Sequence, residues 1–325
     1  ICVVYSHSKV GDLIWQLPYI KSISEYHKDS VTLIVHEYTQ AKKILKNCEY
    51  INLVEYNQFR KKLFYWIDIF NFYLFLKNKK FTHVYILDKI NRPAISARLA
   101  KVKNIIGPGI KQQKKYLTCD NFLSDEDWKL NYSEQSQKIL KINNIPIFNK
   151  FPDIQINLER NDILPKIKNI NDKIISFGID SGEEYKMWYE DYFLELAEKL
   201  QKIIKFNKVY LICSKKNRPM SNYIIKKSKY NLFEDASDLD LVNVMAILKK
   251  SEIFVGNNSG PLNLSAALGT KSFGLIANDA ISELKFSKII PITPSNYKDN
   301  VWNRDRKGMK ELTVQKVYND IISNL

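Results

Sequence analysis

Short runs of β-branched and apolar residues alternate along nearly the whole chain with stretches whose apolar positions recur every three to four residues. These are the periods of buried strands and of the helices that cover them. The runs predict strands at Ile1–Tyr5, Val31–Val35, His83–Leu87, Ile174–Gly178, Lys208–Cys213, Glu252–Val255 and Ser272–Ile276, and the amphipathic stretches predict helices such as Leu13–Ser24, Tyr192–Ile204 and Asp240–Lys250. Such alternation gives an α/β fold whose parallel sheets are covered on both faces. Between Asn143 and Leu164 the periodicity fades around Pro146 and Pro152, with Pro165 just beyond. We read that stretch as a linker with its boundary near residue 155, dividing the chain into Rossmann-like halves at 1–155 and 156–325, each of ordinary domain size. The final amphipathic segment, Val314–Leu325, is assigned by the pattern to neither half. Two such halves facing across a cleft would bind a ligand at the carboxyl ends of their strands.

Composition narrows the class. With 45% hydrophobic and 26% charged residues among 325, the chain is neither disordered nor fibrous. No apolar run reaches the length of a membrane span, and the chain opens on a strand-like run without a basic leader, so a mature cytoplasmic protein is expected. The four cysteines, Cys2, Cys48, Cys119 and Cys213, are far apart and form no CxxC, which points to buried free thiols. Fifty Lys and Arg against 35 acids give a net charge of +15, a field that draws polyanions. Nucleic acid is excluded as the partner by the dispersed basic residues and the absence of zinc-finger, RNP-like or recognition-helix patterns.

Three loops that follow strands carry candidate chemistry. In Ser6–Asp12, Asp12 precedes the helix expected from Leu13, where it would cap that helix, serve as a carboxylate whose pKa burial raises toward that of a general base, or do both. In Ile179–Lys186, Ser181 supplies a hydroxyl, Gly182 a place for close backbone approach, and Lys186 a point charge beside Trp188; a surface turn is the plain alternative. In Gly256–Gly260, the sequence GNNSG leads to Pro261 and the helix Leu262–Leu268, stopped by Gly269, with Asn258 or Ser259 placed to cap. An ordinary strand-to-helix turn would look the same, but free amides at such a helix start also suit a diphosphate. The Asp238-Leu239-Asp240 triplet imitates a metal-binding DxD, yet it lies just before a helix and reads as a cap.

A fourth segment is amphiphilic in another way. Arg60-Lys61-Lys62 precede Leu63–Leu76, which is rich in aromatics, and Lys77–Lys80 closes it with three lysines. At 14 residues it is too short to span a bilayer; it fits a helix packed under the first sheet or one lying on an anionic membrane surface.

Taken together, these segments resemble the heptosyltransferases, the inverting GT-B glycosyltransferases of family 9 that use ADP-heptose to build the lipopolysaccharide inner core. The resemblance is carried by Gly11-Asp12-Leu13-Ile14 through Leu17-Pro18, by His83–Gly107 with Asp88 and Ser96–Ala100, by Lys186-Met187-Trp188, and by Val255–Pro261 with Leu264–Thr270. It implies a GT-B fold of two Rossmann-like domains, the first binding acceptor and the second donor, and single displacement without metal or cofactor. It implies Asp12 as general base, and Lys186, Ser181 and the amides of Ser259 and Gly260 on the departing diphosphate. Gly182, Asn258 and Asn263 complete the implied donor set. Arg60, Lys62, Arg92 and Lys111 would face a phosphorylated, lipid-linked acceptor, and the protein would be peripheral on the cytoplasmic face of the inner membrane. The chain departs from the family signature with Asn258 in place of Asp and Asn263 in place of His. A different nucleotide-sugar, or a relative that binds without transfer, therefore stays open beside ADP-heptose.

Overall fold

The most continuously apolar runs of the sequence become the central strands of two parallel sheets. The computed structural model describes residues 1–60, 64–277, 279–299 and 305–325, which divide into two units, Ile1–Pro152 and Asp153–Leu325.

In the first unit the order is β1 (Cys2–Tyr5), α1 (Val10–Ile14), α2 (Leu17–His27), β2 (Val31–Val35), α3 (Ala41–Ile44), β3 (Ile51–Tyr56), α4 (Tyr65–Lys79), β4 (His83–Ile86), α5 (Arg92–Leu99), β5 (Asn104–Ile106) and α6 (Tyr132–Ile142). Its strands pair in parallel in the order β3-β2-β1-β4-β5. β1 and β2 are buried at every position, as strands covered on both faces must be. The single helix expected over Leu13–Ser24 is two helices. Pro18 has no N–H to offer the carbonyl of Ile14 and its ring would crowd that group, so α1 ends at Ile14 and α2 begins anew with the proline in its first turn.

The second unit runs α7 (Pro165–Lys168), β6 (Ile174–Gly178), α8 (Glu190–Ile204), β7 (Lys208–Ile212), α9 (Arg218–Lys227), β8 (Phe233–Asp235), α10 (Leu241–Lys250), β9 (Ser251–Asn257), α11 (Gly260–Ala267), β10 (Lys271–Leu275), β11 (Ile289–Ile292), α12 (Lys307–Glu311) and α13 (Val314–Ser323). Its sheet is ordered β11-β10-β9-β6-β7-β8, again parallel throughout. α13 lies on α8 and sends Val317 and Ile321 into this unit's own core, beside Phe193 and Leu196.

Chain order reverses between β1 and β4 in the first sheet and between β6 and β9 in the second. At those points the connecting helices diverge to opposite faces and leave a crevice beyond the strand ends. β6 and β9 approach closely at paired glycines: a Cβ on Gly256 would stand 2.9 Å from the Cα of Gly178 and 2.8 Å from the Phe254 ring.

Candidate active site

The crevice of the second unit is a cavity of about 620 Å³ at the carboxyl ends of β6, β7 and β9, lined among others by Ser181, Gly182, Ser214, Lys216, Ser259, Gly260 and Arg306. Three loops meet there, and their buried polar side chains explain how they are held. Asn257, at the end of β9, accepts from the Trp188 amide at 2.9 Å and donates to the Ile179 carbonyl at 2.9 Å. Asp180 accepts from the Ser214 amide at 2.7 Å and from Asn217 Nδ2 at 3.2 Å, tying the loop after β6 to the loop after β7. Trp188 is fully buried and donates its indole N–H to the Leu312 carbonyl at 2.7 Å.

Ser259 occupies the N-cap position of α11, with Pro261 in the first turn. Its hydroxyl makes no capping bond and, although buried, finds no hydrogen-bond partner among the described residues. A buried orphan hydroxyl at the positive end of a helix, on a cavity wall, is a donor that lacks an acceptor. The helix closes as expected, Gly269 taking a φ of +86° that a side chain would resist. Asn258 does not cap either; its Nδ2 donates to Asp279 Oδ2 at 2.8 Å. Asn263 turns back to the Ser259 carbonyl at 3.1 Å. Neither Asn258 nor Asn263 is on the cavity wall. A Cβ on Gly182 would meet no atom within 4 Å, so the protein itself does not require glycine there.

Lys186 ends a short 3-10 turn, Glu184–Lys186, and stands off the cavity wall. Its Nζ lies 2.8 Å from Glu183 Oε2 and 3.0 Å from Asp279 Oδ1. Burial works against the ammonium, but the hydrogen bonds and charges of Glu183 and Asp279 outweigh it and hold its pKa above the ordinary lysine value. Asp279 is thus a buried carboxylate shared by Lys186 and by Asn258 of the signature loop, a junction that the sequence motifs do not contain. Arg306 was likewise not anticipated. It lines the cavity, donates to the carbonyls of Met187 and Trp188 at 3.2 and 3.3 Å, and lies over the Tyr189 ring. In the Asp238-Leu239-Asp240 triplet, Asp240 caps α10 through the Asn243 amide and Asp238 pairs with Arg218, so both are structural. Among the described residues no group of three or more His, Cys, Asp or Glu is placed to hold a metal.

In the first unit the loop after β1 and the loop after β4 meet at the corresponding crevice. Asp12 does not cap a helix: Lys9 is the N-cap residue, without a side-chain bond, and Asp12 lies in the first turn of α1. About a quarter exposed, it stands 3.9 Å from His7 Nδ1. His7 is stacked on Tyr5 and packed against Tyr132. Asp88, buried after β4, accepts the amides of Ser6 and Ile90, and burial raises its pKa despite those bonds. Burial first, then the charges of Asp12 and Asp88, push the Tyr5 and Tyr132 phenols up. Lys89 sits over the rings of Trp128 and Tyr132, and burial lowers its pKa.

The basic residues expected on the acceptor side are not equivalent. Arg60 pairs with the buried Asp68 of α4 at 2.8 Å. Arg92 is itself only 6% exposed, donating to the Arg60 carbonyl and lying over Tyr65, so it secures Arg60 and presents little charge to solvent. Lys111 is exposed, at the start of a 3-10 turn that packs on α5. Lys62 lies outside the described residues.

Residues 70–321 match the family model described as glycosyltransferase family 9 (heptosyltransferase). Curated protein sequences give no match. Among solved structures, an ADP-heptose lps heptosyltransferase II from E. coli superposes over 99% of this chain and 97% of its own, at a TM-score of 0.77 and 17% identity. A family 9 glycosyl transferase from Veillonella parvula DSM 2008 covers 99% and 96% at 0.75 and 13% identity. The E. coli heptosyltransferase WaaC, solved with ADP-2-deoxy-2-fluoro heptose, covers both chains fully at 0.71 and 14% identity. These likenesses show the fold, a GT-B pair of Rossmann-like domains.

Proposed function

The chain belongs to glycosyltransferase family 9, the heptosyltransferases, and from that premise we propose that it moves a heptose from ADP-heptose to a phosphorylated inner-core acceptor of lipopolysaccharide, inverting the anomeric carbon without a metal. The observation that carries this reading is the cavity beyond β6, β7 and β9. There the unpaired Ser259 hydroxyl, the free amides at the start of α11 and the Arg306 guanidinium converge, as a diphosphate needs.

In this reading the second unit, 153–325, is the donor domain. Ser181, Ser259, the Gly260 amide and Arg306 take the diphosphate, and Ser214, Lys216, Asn217 and Met220 offer the nucleoside a wall of mixed polarity. Lys186 moves from its carboxylate partners toward the charge that develops on the leaving oxygen, and Asp279 sets the position it starts from. The first unit, 1–152, is the acceptor domain, working at the cytoplasmic face of an anionic inner membrane. Asp12 accepts the proton of the acceptor hydroxyl while that oxygen bonds to the anomeric carbon. The bond from that carbon to the diphosphate oxygen breaks, and ADP leaves with the electron pair. Arg60 and Lys111 serve the acceptor phosphates, with Arg92 holding Arg60 in place.

One observation keeps a second donor in view: Asn258 and Asn263, the departures from the family signature, bond to the protein and leave the cavity wall to other residues. Thermal unfolding against ADP, UDP, GDP and CMP separates the readings. A nucleotide at about 100 times its Kd adds roughly 2.7 kcal/mol, a rise of several degrees in Tm. Stabilisation by ADP alone supports ADP-heptose. A response to UDP or GDP instead assigns another nucleotide-sugar, and no response to any of the four points to a relative without transferase activity.

A further inference from the structure

Helix α4 is apolar on both of its faces, and among the described residues only one of them is buried. Ile69, Phe72 and Leu76 are buried in the core of the first unit, and the Ile69 carbonyl accepts from Ser96 of α5. On the outer face Trp66 is 70% exposed, Ile67 51%, Phe70 58% and Leu74 38%. Their spacing of one, three and four residues stacks them as a single stripe over two turns. Large apolar side chains scattered singly on a surface need no explanation, but a contiguous stripe marks an interaction site.

The surrounding charge identifies the partner. Between Phe64 and Lys80 the sequence has one carboxylate, Asp68, and that group is turned inward onto Arg60. The helix ends in Lys77, Lys79 and Lys80, all exposed. The helix that carries the stripe therefore ends in exposed cations and exposes no carboxylate of its own, on a chain of net charge +15. At 15 residues the helix measures about 22 Å, short of the roughly 30 Å of a hydrocarbon core, and its inner face is committed to the protein. Among the described residues no helix is long and apolar enough to cross a membrane.

We propose that the outer face of α4 is a membrane-docking surface, lying flat in the headgroup region of an anionic bilayer with Trp66, Phe70 and Leu74 inserted and Lys77, Lys79 and Lys80 on lipid phosphates. This orientation places two requirements on one helix, apolar insertion and charge attraction, and α4 meets both. It goes beyond the transfer reaction, because binding to lipid is measured without donor or turnover. It also fits the position of Arg60, whose partner Asp68 lies in the first turn of the same helix.

The test is cosedimentation of the full chain with phosphatidylglycerol vesicles and with phosphatidylcholine vesicles at low salt, alongside size-exclusion chromatography. The variants are W66S/F70S/L74S and K77Q/K79Q/K80Q. All six positions are exposed, and an unchanged Tm checks that each variant folds. Wild type is expected on the anionic vesicles and not on the neutral ones. The serine variant should lose binding, and the glutamine variant should weaken it by roughly fivefold per lysine. Brominated lipid should quench tryptophan fluorescence in wild type and far less in W66F. Wild type that ignores anionic vesicles overturns the proposal, as does a serine variant that binds normally. A wild-type oligomer that the serine variant disperses, without lipid binding, overturns it in favour of a second copy of the chain.

Discussion

Asp279 and Asp12 are the two carboxylates on which the account depends, and each makes a separable prediction. Asp12→Asn keeps the shape of the first turn of α1 and removes the proton acceptor, so kcat should fall by about 10² to 10⁴ while the ADP-induced rise in Tm is retained. Undiminished turnover would remove Asp12 from the mechanism. Asp279→Asn leaves Lys186 buried with only the more exposed Glu183. In the native fold the lysine's pKa is raised, so its charge is complete below the ordinary value of 10.5 and is lost only as pH climbs past the raised value. Without Asp279 the burial penalty is less opposed. The alkaline limb of kcat should then move to lower pH, as it should in Glu183→Gln, whose hydrogen bond also holds the lysine's pKa up. At this scale the loops were legible wherever glycine, proline and a short polar residue stand together, as at Gly256–Pro261. Asp279, Arg306 and Asp180 were not, because each is one ordinary charged residue in an irregular segment. Only the fold brings them to Lys186 and to the cavity.

Elements were legible in proportion to their burial. Every central strand was visible as an apolar run, whereas the four unanticipated strands, β3, β5, β8 and β11, are the outer strands of the two sheets. β3 has no fully buried position and exposes Asn52 and Tyr56, β5 and β8 have three residues each, and β11 carries Pro291, which an edge tolerates because its missing N–H leaves no ladder bond unmade. The close pairing of β6 with β9 makes a prediction: Gly256→Ala drives a methyl into the Phe254 ring and the Gly178 backbone, and should cost about 1–3 kcal/mol, read from the urea midpoint. A second concerns α2 and β4. His27 bonds the Tyr85 hydroxyl at 2.7 Å and packs on His83, and burial first, with neighbouring positive charge, lowers both imidazole pKa values. The unfolded chain therefore takes up protons before the fold does. Stability that is complete above about pH 6.5 should be lost as pH falls below it, and His27→Gln should flatten that limb in a Tm series from pH 7.5 to 5.

For the molecule as a whole, the repeated βα pattern sufficed for two parallel α/β units, since a parallel sheet needs a crossover helix after nearly every strand. The chain divides between the two units after Pro152, and α13 belongs to the second because its apolar stripe finds α8, which periodicity alone had no means of choosing. The account's central claim is chemical. Its most direct test is to incubate the full chain and Asp12→Asn with ADP-heptose and a heptose-deficient lipopolysaccharide core, measuring ADP release and the anomeric configuration of the product by NMR. The account predicts ADP released in step with heptose transferred, inverted configuration, and little of either from the variant. Retained configuration, or equal turnover by the two proteins, would contradict it.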